Sequence, residues 1–428
     1  MVQALDRVRP FSISDEHPAG MISGARGSLD ILIVTSEAPP IVSGISTCIG
    51  RLEKGLRDRG HRVTVISSVQ IPRITVGEWR FSSFVAYWRR LARELQDFDV
   101  VNVHGPIPTM SDFFLREVTR LPSYMRPPVV YTYHSPIDIK GASRLSALYN
   151  RYHRSLALRA DRIVASGQHY ASAHRTRYGP PVRSIPWGVD LPASGPALLP
   201  AGPAAAAGAG KLRVLFVGQM RPYKGVQTLL AAAAGQDWLE LTLVGGGPEL
   251  VKYQRLAERL SAANARFTGR LPDAELRAHY QANDVIVLPS VTRAEAFGLV
   301  LLEGMASGCV PVASDLPGVR DVAGPTGLVV RPGDAAALRG AFRQLASDPE
   351  RLEQLQHASL RAAQVLSWDR CVASYEQLFL EAVRGRYARL HGLAILPETT
   401  EDSHARPETD QQSAIGAAAH PALLAGPR

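Results

Sequence analysis

The stretch Val285–Glu303, VIVLPSVTRAEAFGLVLLE, decides the fold of this chain. It opens with four apolar residues and a Pro-Ser pair, which is typical of a buried parallel strand that ends in a turn. From Gly298 onward, leucine and methionine recur at helical spacing. The stretch therefore predicts a strand, a loop that contains Glu295, and a helix in which Glu303 lies about a turn and a half from the start.

The start of that helix is a predicted site for a negatively charged ligand group. The backbone N–H groups of Phe297, Gly298 and Leu299 have no helical acceptor there, and the helix dipole favours an anion. Gly298 has no Cβ atom, so a ligand could approach its backbone closely. Two acids beside an anion-binding helix start suit a ligand with hydroxyl and phosphate groups. A crossover helix whose acids only face water would have the same sequence.

Length and composition indicate a globular protein of ordinary type. The 428 residues predict two or three domains. No apolar stretch is long enough to span a bilayer, and the first thirty or so residues lack the apolar core of a signal peptide. The three cysteines show neither metal nor disulfide spacing. We therefore expect a cytoplasmic protein, with attachment to the inner membrane surface left open.

The overall charge leaves several classes of partner open. The formal net charge of +9 is compatible with nucleic acid, with an anionic membrane and with phosphorylated substrates. The chain has no block of like charge and no zinc-finger spacing, so nucleic acid is disfavoured. A helix predicted over Phe84–Leu95 carries arginines off its apolar face. Peripheral contact with an anionic membrane and ordinary packing on a sheet are both compatible with this helix.

The chain begins its regular structure with a predicted βαβ unit. Ile31–Val34 and Arg62–Ile66 are predicted strands, and a helix over about 45–58 lies between them, after a loop with Ser43 and Gly44. A dinucleotide-binding domain would require G-x-G-x-x-G at this loop, and the loop lacks it. A nicotinamide cofactor is therefore disfavoured.

Strands and helices alternate on both sides of a linker of Ala, Gly and Pro, which predicts an α/β protein of two doubly wound, Rossmann-like lobes with a cleft between them. The predicted organisation is a disordered extension at 1–28, a first lobe at 29–192, the linker at 193–210, a second lobe at 211–369, a last helix at 370–390 and a disordered tail at 397–428.

Candidate ligand-binding side chains follow several predicted strands. His104 and His134 lie at strand ends, where open parallel sheets bind ligands, although most histidines so placed are structural. The Gly218–Gly225 loop carries Arg221 and Lys224 just before a helix. Cations at a helix start oppose its dipole by about 0.3–1 kcal/mol each. A ligand anion between these cations and the amides would explain them, and two exposed surface charges are the alternative.

The two glutamates around Phe-Gly-Leu resemble the signature of retaining nucleotide-sugar glycosyltransferases with the two-domain GT-B fold, of the family 4 or group 1 type. The resemblance covers residues 30–390 and is strongest in the second lobe. It implies that the helix at 370–390 crosses back and completes the first lobe. It also implies that Glu295 contacts the transferred sugar and that Glu303 holds the ribose. The family usually has alanine where this chain has Gly304, and glycine in a helix costs about 1 kcal/mol.

Other segments resemble the same family. Gly44 stands in the N-terminal loop, which usually carries Gly-Gly where this chain has Ser-Gly, and is expected to face the phosphates. Lys224 matches the diphosphate-binding lysine. Arg221 lies two residues after Gln219, at which the family has arginine. His134 matches a position that reaches the sugar and the acceptor, which makes it the second catalytic candidate beside the loop glutamate.

Two further segments complete the resemblance. The run that contains Arg270 and Leu271 resembles the segment whose backbone reads the nucleobase, and we expect Asp273 to cap the helix that follows. The run before Asp190 resembles the end of the first lobe, with Trp187 where the family has asparagine. We expect Asp190 to cap a turn. Backbone recognition leaves little side-chain signature, so the base stays unnamed.

The resemblance implies retaining, metal-independent transfer of a hexose-type sugar from a nucleoside diphosphate, UDP or GDP above all, to an acceptor hydroxyl. It suggests polysaccharide, glycolipid or glycosylated-metabolite biosynthesis, with a lipid-linked acceptor left open, and no cofactor. A sugar-nucleotide epimerase and a phosphorylase are alternatives with the same two lobes. A sugar-nucleotide sensor and a basic membrane-surface binding protein are the non-enzymatic alternatives.

Overall fold

The fold is described from a computed structural model of the chain. The predicted tail, all but the ends of the predicted extension and linker, and most of the predicted Phe84–Leu95 helix lie outside the residues that the structure describes. The structure describes residues 27–41, 43–67, 69, 73–76, 79–82, 91, 95–138, 142–191 and 210–391. No helix within these ranges combines the length and the apolar character that crossing a bilayer requires.

The first lobe is built on a six-stranded sheet in which every pair of neighbouring strands is parallel. Its strand order is β2-β1-β5-β6-β7-β8, and β3 and β4 form a separate antiparallel pair. The strands are β1 (Asp30–Val34), β2 (Arg62–Ile66), β3 (Arg73–Val76), β4 (Trp79–Ser82), β5 (Val100–Gly105), β6 (Val129–Tyr133), β7 (Arg162–Ala165) and β8 (Val182–Ser184). The helices are α1 (Gly44–Asp58), α2 (Ser111–Val118), α3 (Ser143–Ala157) and α4 (Gln168–His174).

The second lobe repeats this design. Its six parallel strands have the order β11-β10-β9-β12-β13-β14. They are β9 (Leu212–Val217), β10 (Leu239–Val244), β11 (Ala265–Gly269), β12 (Val285–Leu288), β13 (Val310–Ser314) and β14 (Leu328–Val330). The helices that follow are α5 (Val226–Ala233), α6 (Leu250–Arg259), α7 (Asp273–Ala282), α8 (Leu299–Ala306), α9 (Val319–Ala323), α10 (Ala335–Ser347), α11 (Pro349–Val365) and α12 (Trp368–Leu390).

Both sheets reverse their order of winding at one place. In the second sheet this switch point lies between β9 and β12, and in the first it lies between β1 and β5. The strands beside these points are buried on both faces, which is why they read as continuous apolar runs. The predicted fold class, two Rossmann-like doubly wound lobes, is confirmed. Ligands of such sheets bind at the carboxyl ends of the strands beside the switch point.

The last helix joins the two lobes. Helix α12 packs against α1 and reaches β5 and β6 of the first sheet, and one hydrophobic core continues from these elements into the second lobe. The contact with α1 is close: a Cβ atom on Gly55 would lie 2.6 Å from Cγ2 of Val372. Residues of the first sheet and of the returning helix therefore share one packed interior.

Two local predictions about helices are corrected. Asp273 does not cap α7, because it is the first helical residue and Pro272 stands at the N-cap without a side-chain hydrogen bond. Gly304 is more than a weak helix former, because a Cβ atom there would lie 2.6 Å from Cβ of Ile286 on β12. Helix α8 packs so closely on β12 that the alanine usual in the family would force the two elements apart.

Candidate active site

A lysine–glutamate pair occupies the switch point of the second sheet. Lys224 follows β9 and Glu295 follows β12. Nζ of Lys224 donates to Oε2 of Glu295 over 2.5 Å, and the hydroxyl of Ser290 donates to the same oxygen over 3.0 Å. The two charged side chains are only 11% and 12% exposed. Burial disfavours the ammonium, but the adjacent carboxylate outweighs burial and the pKa of Lys224 is raised.

The loops that carry this pair are fastened together by a glycine. Gly225 has a φ of +69°, and a Cβ atom on it would lie 1.9 Å from the carbonyl oxygen of Pro289. The amide of Val291 donates to the carbonyl of Tyr223 over 2.8 Å, which ties the loop after β12 to the loop after β9. Only glycine fits where the loop after β9 packs against Pro289 of the loop after β12. Gly225 therefore allows the two loops, and with them Lys224 and Glu295, to come close together.

Gly298, at the start of α8, has a structural reason to be glycine. It has a φ of +84°, and a Cβ atom there would lie 2.7 Å from Cδ2 of Leu288. The backbone conformation and the interior therefore require glycine, and the close approach of a ligand stays a prediction. No backbone carbonyl of the described residues accepts from the amides of Phe297, Gly298 or Leu299. The ring of Phe297 is buried in the core, so only its backbone is available to a ligand.

Glu303 lies inside α8, close to residues of the first lobe. The hydroxyl of Tyr280 donates to its Oε2 atom over 2.5 Å. Burial raises the pKa of Glu303 although this hydrogen bond lowers it, and the charges of Asp190 and Arg51 also act on it. Asp190 forms an ion pair with Arg51 of α1. The prediction that Asp190 caps a turn is therefore wrong, because its carboxylate joins two elements of the first lobe next to Glu303.

The helix starts of the two lobes face one another. A Cβ atom on Gly44, the first residue of α1, would lie 3.9 Å from Cδ1 of Leu299, the first residue of α8. Ser43 caps α1 by accepting from the amide of Ser46 over 3.1 Å, and its φ of −160° is ordinary extended backbone. Serine in place of the usual glycine therefore leaves this loop unstrained. The start of α1 in the first lobe therefore packs against the start of α8 in the second.

The remaining predicted donor residues lie at the rim of the second sheet. Nε of Arg221 donates to Oε1 of Gln219 over 2.7 Å, so the arginine and the glutamine that replaces the family's arginine share one location. Arg270 is exposed after β11, and Leu271 packs partly buried against the core. Sequence reasoning missed Glu37, a buried acid of the first lobe whose charge raises the pKa of Tyr223 across the cleft.

In the first lobe, His134 belongs to a buried polar chain that sequence reasoning missed in part. Nε2 of His134 lies 3.0 Å from Nδ1 of His104, and Nε2 of His104 lies 2.8 Å from Oδ1 of Asn102. Trp187 stacks on His134 with ring centroids 5.9 Å apart, and Tyr375 of α12 stacks on Trp187 at 5.8 Å. Burial lowers the pKa of His134 to about 4 and that of His104 well below its usual range. Both rings are neutral near pH 7.

Arg293, another residue that we did not predict, brings the second lobe close to the first. Its positive charge lowers the pKa of Tyr133 and of Tyr170, although burial dominates and raises both. The hydroxyl of Tyr170 also donates to the carbonyl of Pro317 over 3.2 Å. The loop after β12 therefore lies close to the carboxyl end of β6 in the first lobe. A separate depression of about 430 Å³ contains none of the predicted site residues and is lined by Asp315, Arg320, Gly324, Val329, Val330, Arg331 and Pro332.

One sequence feature bears on metal binding and was overlooked. Asp97 and Asp99 form an Asp-x-Asp run, a pattern that can hold a metal ion. This run lies at the amino end of β5, opposite the ligand-binding edge, and Oδ2 of Asp99 accepts from the amide of Asp30 over 2.8 Å. Within the ranges described above, no three His, Cys, Asp or Glu side chains are grouped as metal ligands. Metal independence stays a prediction.

Comparison with known proteins finds one matching family model for each lobe. The model of Glycosyltransferase Family 4 matches residues 42–192, and that of Glycosyl transferases group 1 matches residues 204–361. D-rhamnosyltransferase WbpZ of Pseudomonas aeruginosa is 34% identical over 286 residues, which are 65% of this chain and 72% of that protein. O-antigen chain mannosyltransferase C of Escherichia coli is 28% identical over 300 residues, which are 68% and 77%.

The fold comparison agrees. Sucrose-phosphate synthase of Thermosynechococcus elongatus superimposes with a TM-score of 0.66 at 20% identity, over 83% of this chain and 100% of that structure. This likeness concerns the fold, whereas the family models and the rhamnosyltransferase relate the sequences themselves. The chain belongs to the GT-B glycosyltransferases of the group 1 and family 4 type.

Proposed function

We propose that this glycosyltransferase moves a hexose-type sugar from a nucleoside diphosphate to an acceptor hydroxyl with retention of anomeric configuration and without a metal ion. The observation that carries the proposal is the contact of Lys224 with Glu295 beside the unpartnered amides at the start of α8. An ammonium, helix-end amides and a carboxylate at one switch point suit a ligand that carries a diphosphate and a sugar.

The leaving diphosphate is the group that these cationic features would stabilise. An ammonium has three donors, and Lys224 uses one of them on Glu295. The others are available to a phosphate oxygen as negative charge develops on it when the bond to the anomeric carbon breaks. Fixed donors aimed at developing charge are worth more inside a cleft than in water. Arg221, with its Nε on Gln219, would add a second cation at the rim.

Glu295 and His134 would act on the sugar and the acceptor. The Glu295 carboxylate, already held by Ser290 and Lys224, would orient sugar hydroxyls and support positive charge at the anomeric carbon. In the front-side course that we favour, the acceptor oxygen attacks the face that the diphosphate leaves, and its proton passes to the departing phosphate oxygen. Glu303, held by Tyr280, would bind the ribose.

A panel of nucleotides tests the donor site directly. The full chain is melted with UDP, GDP, ADP and dTDP, and one of them at a hundred times its dissociation constant should stabilise the protein by about 2.7 kcal/mol. UDP and GDP are the nucleotides that we expect to act. No shift with any of the four would overturn the proposed donor site.

Product analysis then separates the proposal from its alternatives. Incubation with the selected nucleotide sugar and an oligosaccharide or glycolipid acceptor should yield a product whose anomeric configuration, measured by NMR, equals that of the donor. The same rate in the presence of EDTA supports metal independence. A sugar-nucleotide epimerase would act without an acceptor, and a phosphorylase would need inorganic phosphate. A sensor would bind the nucleotide without turnover. Polysaccharide-type acceptors are chosen because the relatives are a rhamnosyltransferase and an O-antigen mannosyltransferase.

Contact with an anionic membrane is the second part of the proposal, and α3 supports it. Leu145, Leu148 and Tyr152 recur on one face of this helix and are 55%, 66% and 44% exposed. The helix contains three arginines and no acidic residue. An exposed apolar stripe with basic flanks suits the interface of an anionic bilayer. The side chain of Asn150 holds the backbone of Ile137, which joins α3 to the segment that follows His134.

Sedimentation with lipid vesicles tests this surface. We expect the chain to bind vesicles that contain phosphatidylglycerol better than vesicles of phosphatidylcholine, and to lose binding at high salt. The variant Leu145→Ser/Leu148→Ser should bind less. Val251→Ser is the matched control, because Val251 is 57% exposed on α6 of the second lobe. Equal binding by both variants would contradict the assignment of α3.

A further inference from the structure

The chain of buried polar groups behind His134 has a definite direction. The Nδ2 group of Asn102 donates to the carbonyl of Val130 over 3.0 Å and to the hydroxyl of Thr132 over 2.9 Å. A carbonyl oxygen can only accept, so the amide orientation of Asn102 is fixed by the strand next to it. Its Oδ1 atom is therefore the atom that lies 2.8 Å from Nε2 of His104. That nitrogen must carry a proton.

The direction passes on to His134. Because His104 is neutral and protonated on Nε2, its Nδ1 atom has a lone pair and accepts. The neighbouring Nε2 atom of His134, at 3.0 Å, must then be the donor. A neutral His134 that is protonated on Nε2 has a free lone pair on Nδ1. No group of the described residues binds this Nδ1 atom, and His134 keeps 9% of its surface exposed at the carboxyl end of β6.

We propose that Asn102 and His104 are positioning residues that hold His134 in the tautomer with a proton on Nε2, so that its Nδ1 atom accepts a hydrogen bond from a substrate hydroxyl. The function of this hydrogen bond rests on the glycosyl transfer proposed above. A hydroxyl that donates to Nδ1 is oriented before attack with its oxygen lone pairs free. Nδ1 only accepts this hydrogen bond, and the proton passes to the departing phosphate oxygen when the acceptor attacks. The opposite tautomer would present an N–H group and bind that oxygen lone pair instead.

The groups around Asn102, His104 and His134 are uncharged. Trp187 stacks on both imidazoles, and Tyr375 of α12 lies behind Trp187 and within 3.3 Å of Thr132. Tyr375 of α12 is the titratable group next to Trp187, and Cys48 of α1 and Cys371 of α12 lie near Tyr375; burial raises the pKa of all three. None of them is charged near pH 7, so the hydrogen bonds alone decide which nitrogen of His134 carries the proton.

Substitution of Asn102 should reverse the direction of the hydrogen bonds that run from Asn102 through His104 to His134. In Asn102→Asp a carboxylate faces His104 and favours its imidazolium form, which donates from both nitrogens. His134 would then accept on Nε2, carry its proton on Nδ1 and lose its acceptor function. We expect kcat to fall about tenfold near pH 7, the value of one hydrogen bond, and to recover as the pH rises and His104 loses its extra proton. An unchanged shape of the pH profile would overturn the proposal.

Two substitutions of His104 separate polarity from packing. In His104→Gln the side-chain oxygen can accept from His134 and the side-chain nitrogen can donate to Asn102, so kcat and its pH profile should stay within about threefold of the wild type. His104→Leu fills the same space without either bond and should lose about tenfold. Equal losses in the two variants would mean that His104 only packs.

The tautomer itself is measured without any substrate. In the full chain labelled with ¹⁵N-histidine, the signals that disappear in His134→Gln belong to His134, and their shifts report which nitrogen is protonated. A protonated Nε2 with a bare Nδ1 supports the proposal, and a protonated Nδ1 overturns it. Because this measurement needs no turnover, a bare Nδ1 in a protein that transfers no sugar would refute the proposed function and leave the hydrogen-bond chain standing.

Discussion

The two lobes share one sheet topology but use different chemistry at their switch points. In the second lobe the carboxyl ends of the strands hold charges, and Lys224 and Glu295 lie 2.5 Å apart. In the first lobe the equivalent edge holds a neutral chain of Asn102, His104 and His134 under the ring of Trp187. One side is thus dominated by a charged pair, and the other by oriented neutral groups beside one buried acid, Glu37.

This difference fits the two halves of a glycosyl donor and acceptor pair. In the proposed transfer, charge develops on the diphosphate as it leaves, and fixed charges that face it would stabilise that charge. The acceptor hydroxyl is neutral before attack, so oriented neutral groups suffice to position it. The comparison predicts that substitutions in the second lobe act on the chemical step or on donor affinity through charge, whereas those in the first lobe act through hydrogen-bond direction and protonation.

The largest expected effect comes from breaking the charged pair. Lys224→Ala removes the ammonium that we propose to face the leaving group, and Glu295→Ala removes the carboxylate that we propose to face the sugar. Each should lower kcat about 10²–10³-fold, as expected for the loss of one preorganised charge. Initial rates at saturating donor and acceptor measure this.

Lys252→Ala is the matched control for that pair. Lys252 also forms a 2.5 Å ion pair, with Glu249, but it is 66% exposed on α6. Exposed pairs contribute about 0–1 kcal/mol to stability, and we expect no change in rate. Rates close to the wild type in both Lys224→Ala and Glu295→Ala would show that the charged pair is structural.

A smaller effect is expected at Glu303, which would separate donor binding from chemistry within the second lobe. Glu303→Gln keeps an acceptor for the hydroxyl of Tyr280 but removes the charge that would accept two ribose hydroxyls. The donor KM should rise about 10–100-fold with kcat little changed, because a hydrogen bond to a charged group contributes about 1.5–3 kcal/mol. Calorimetric titration with the free nucleotide should show the same loss. A fall in kcat alone would place Glu303 in the chemical step.

Local sequence patterns predicted part of this architecture. The strand, loop and helix of Val285–Glu303, the βαβ unit around α1 and the returning helix α12 all lie where apolar periodicity and glycine placed them. Local pattern identified Lys224 and Glu295 as candidates, and the family resemblance supplied their roles. Cations and acids that border a helix start have a sequence signature that does not depend on the rest of the fold.

The neutral side was only partly predictable, since its members are brought together by pairing between strands. His134 was identified through a family resemblance, but Asn102 and Tyr375 are 32 and 241 residues away from it in sequence. An asparagine inside an apolar strand such as β5 is a signal that could have been used, because a buried amide needs partners. The reason for Gly304, the closeness of Ile286, depends on the packing of a helix on a strand and has no local signature.

Two glycine substitutions sharpen the comparison between close and open packing in the second lobe. Gly304→Ala places a Cβ atom 2.6 Å from Ile286, and the overpacking should cost about 1–3 kcal/mol of unfolding free energy. Gly340→Ala in α10 meets no atom within 4 Å, and should stabilise the protein by about 0.4–1 kcal/mol. Chemical denaturation measures both. A stabilised Gly304→Ala variant would show that helix propensity outweighs the contact with Ile286.

Lowering the pH should destabilise the first lobe before the second. Burial lowers the pKa of four histidines of the first lobe. It falls to about 4 for His134 and about 3 for His153, and it is also lowered for His104 and His174. A depressed folded pKa means that the stability contribution is complete above the unfolded value of about 6.5 and is lost as the pH falls toward the folded value. Asp112, whose pKa burial raises, has the opposite sign, but it is one group against four.

Hydrogen exchange at pH 7 and pH 5, corrected for the intrinsic exchange rate, resolves the two lobes. We expect β5, β6 and α3 to lose protection first, because each titrating histidine contributes at most about 1.4 kcal/mol per pH unit. The second lobe should resist, since the raised pKa of Glu303 makes its protonation favourable in the folded state as the pH falls. His153→Gln removes one titrating ring and should flatten the loss in the first lobe. Equal loss of protection in both lobes would mean that they unfold as one unit through the core they share along α12. The different chemistry of the two lobes would then not affect how the stability of each depends on pH.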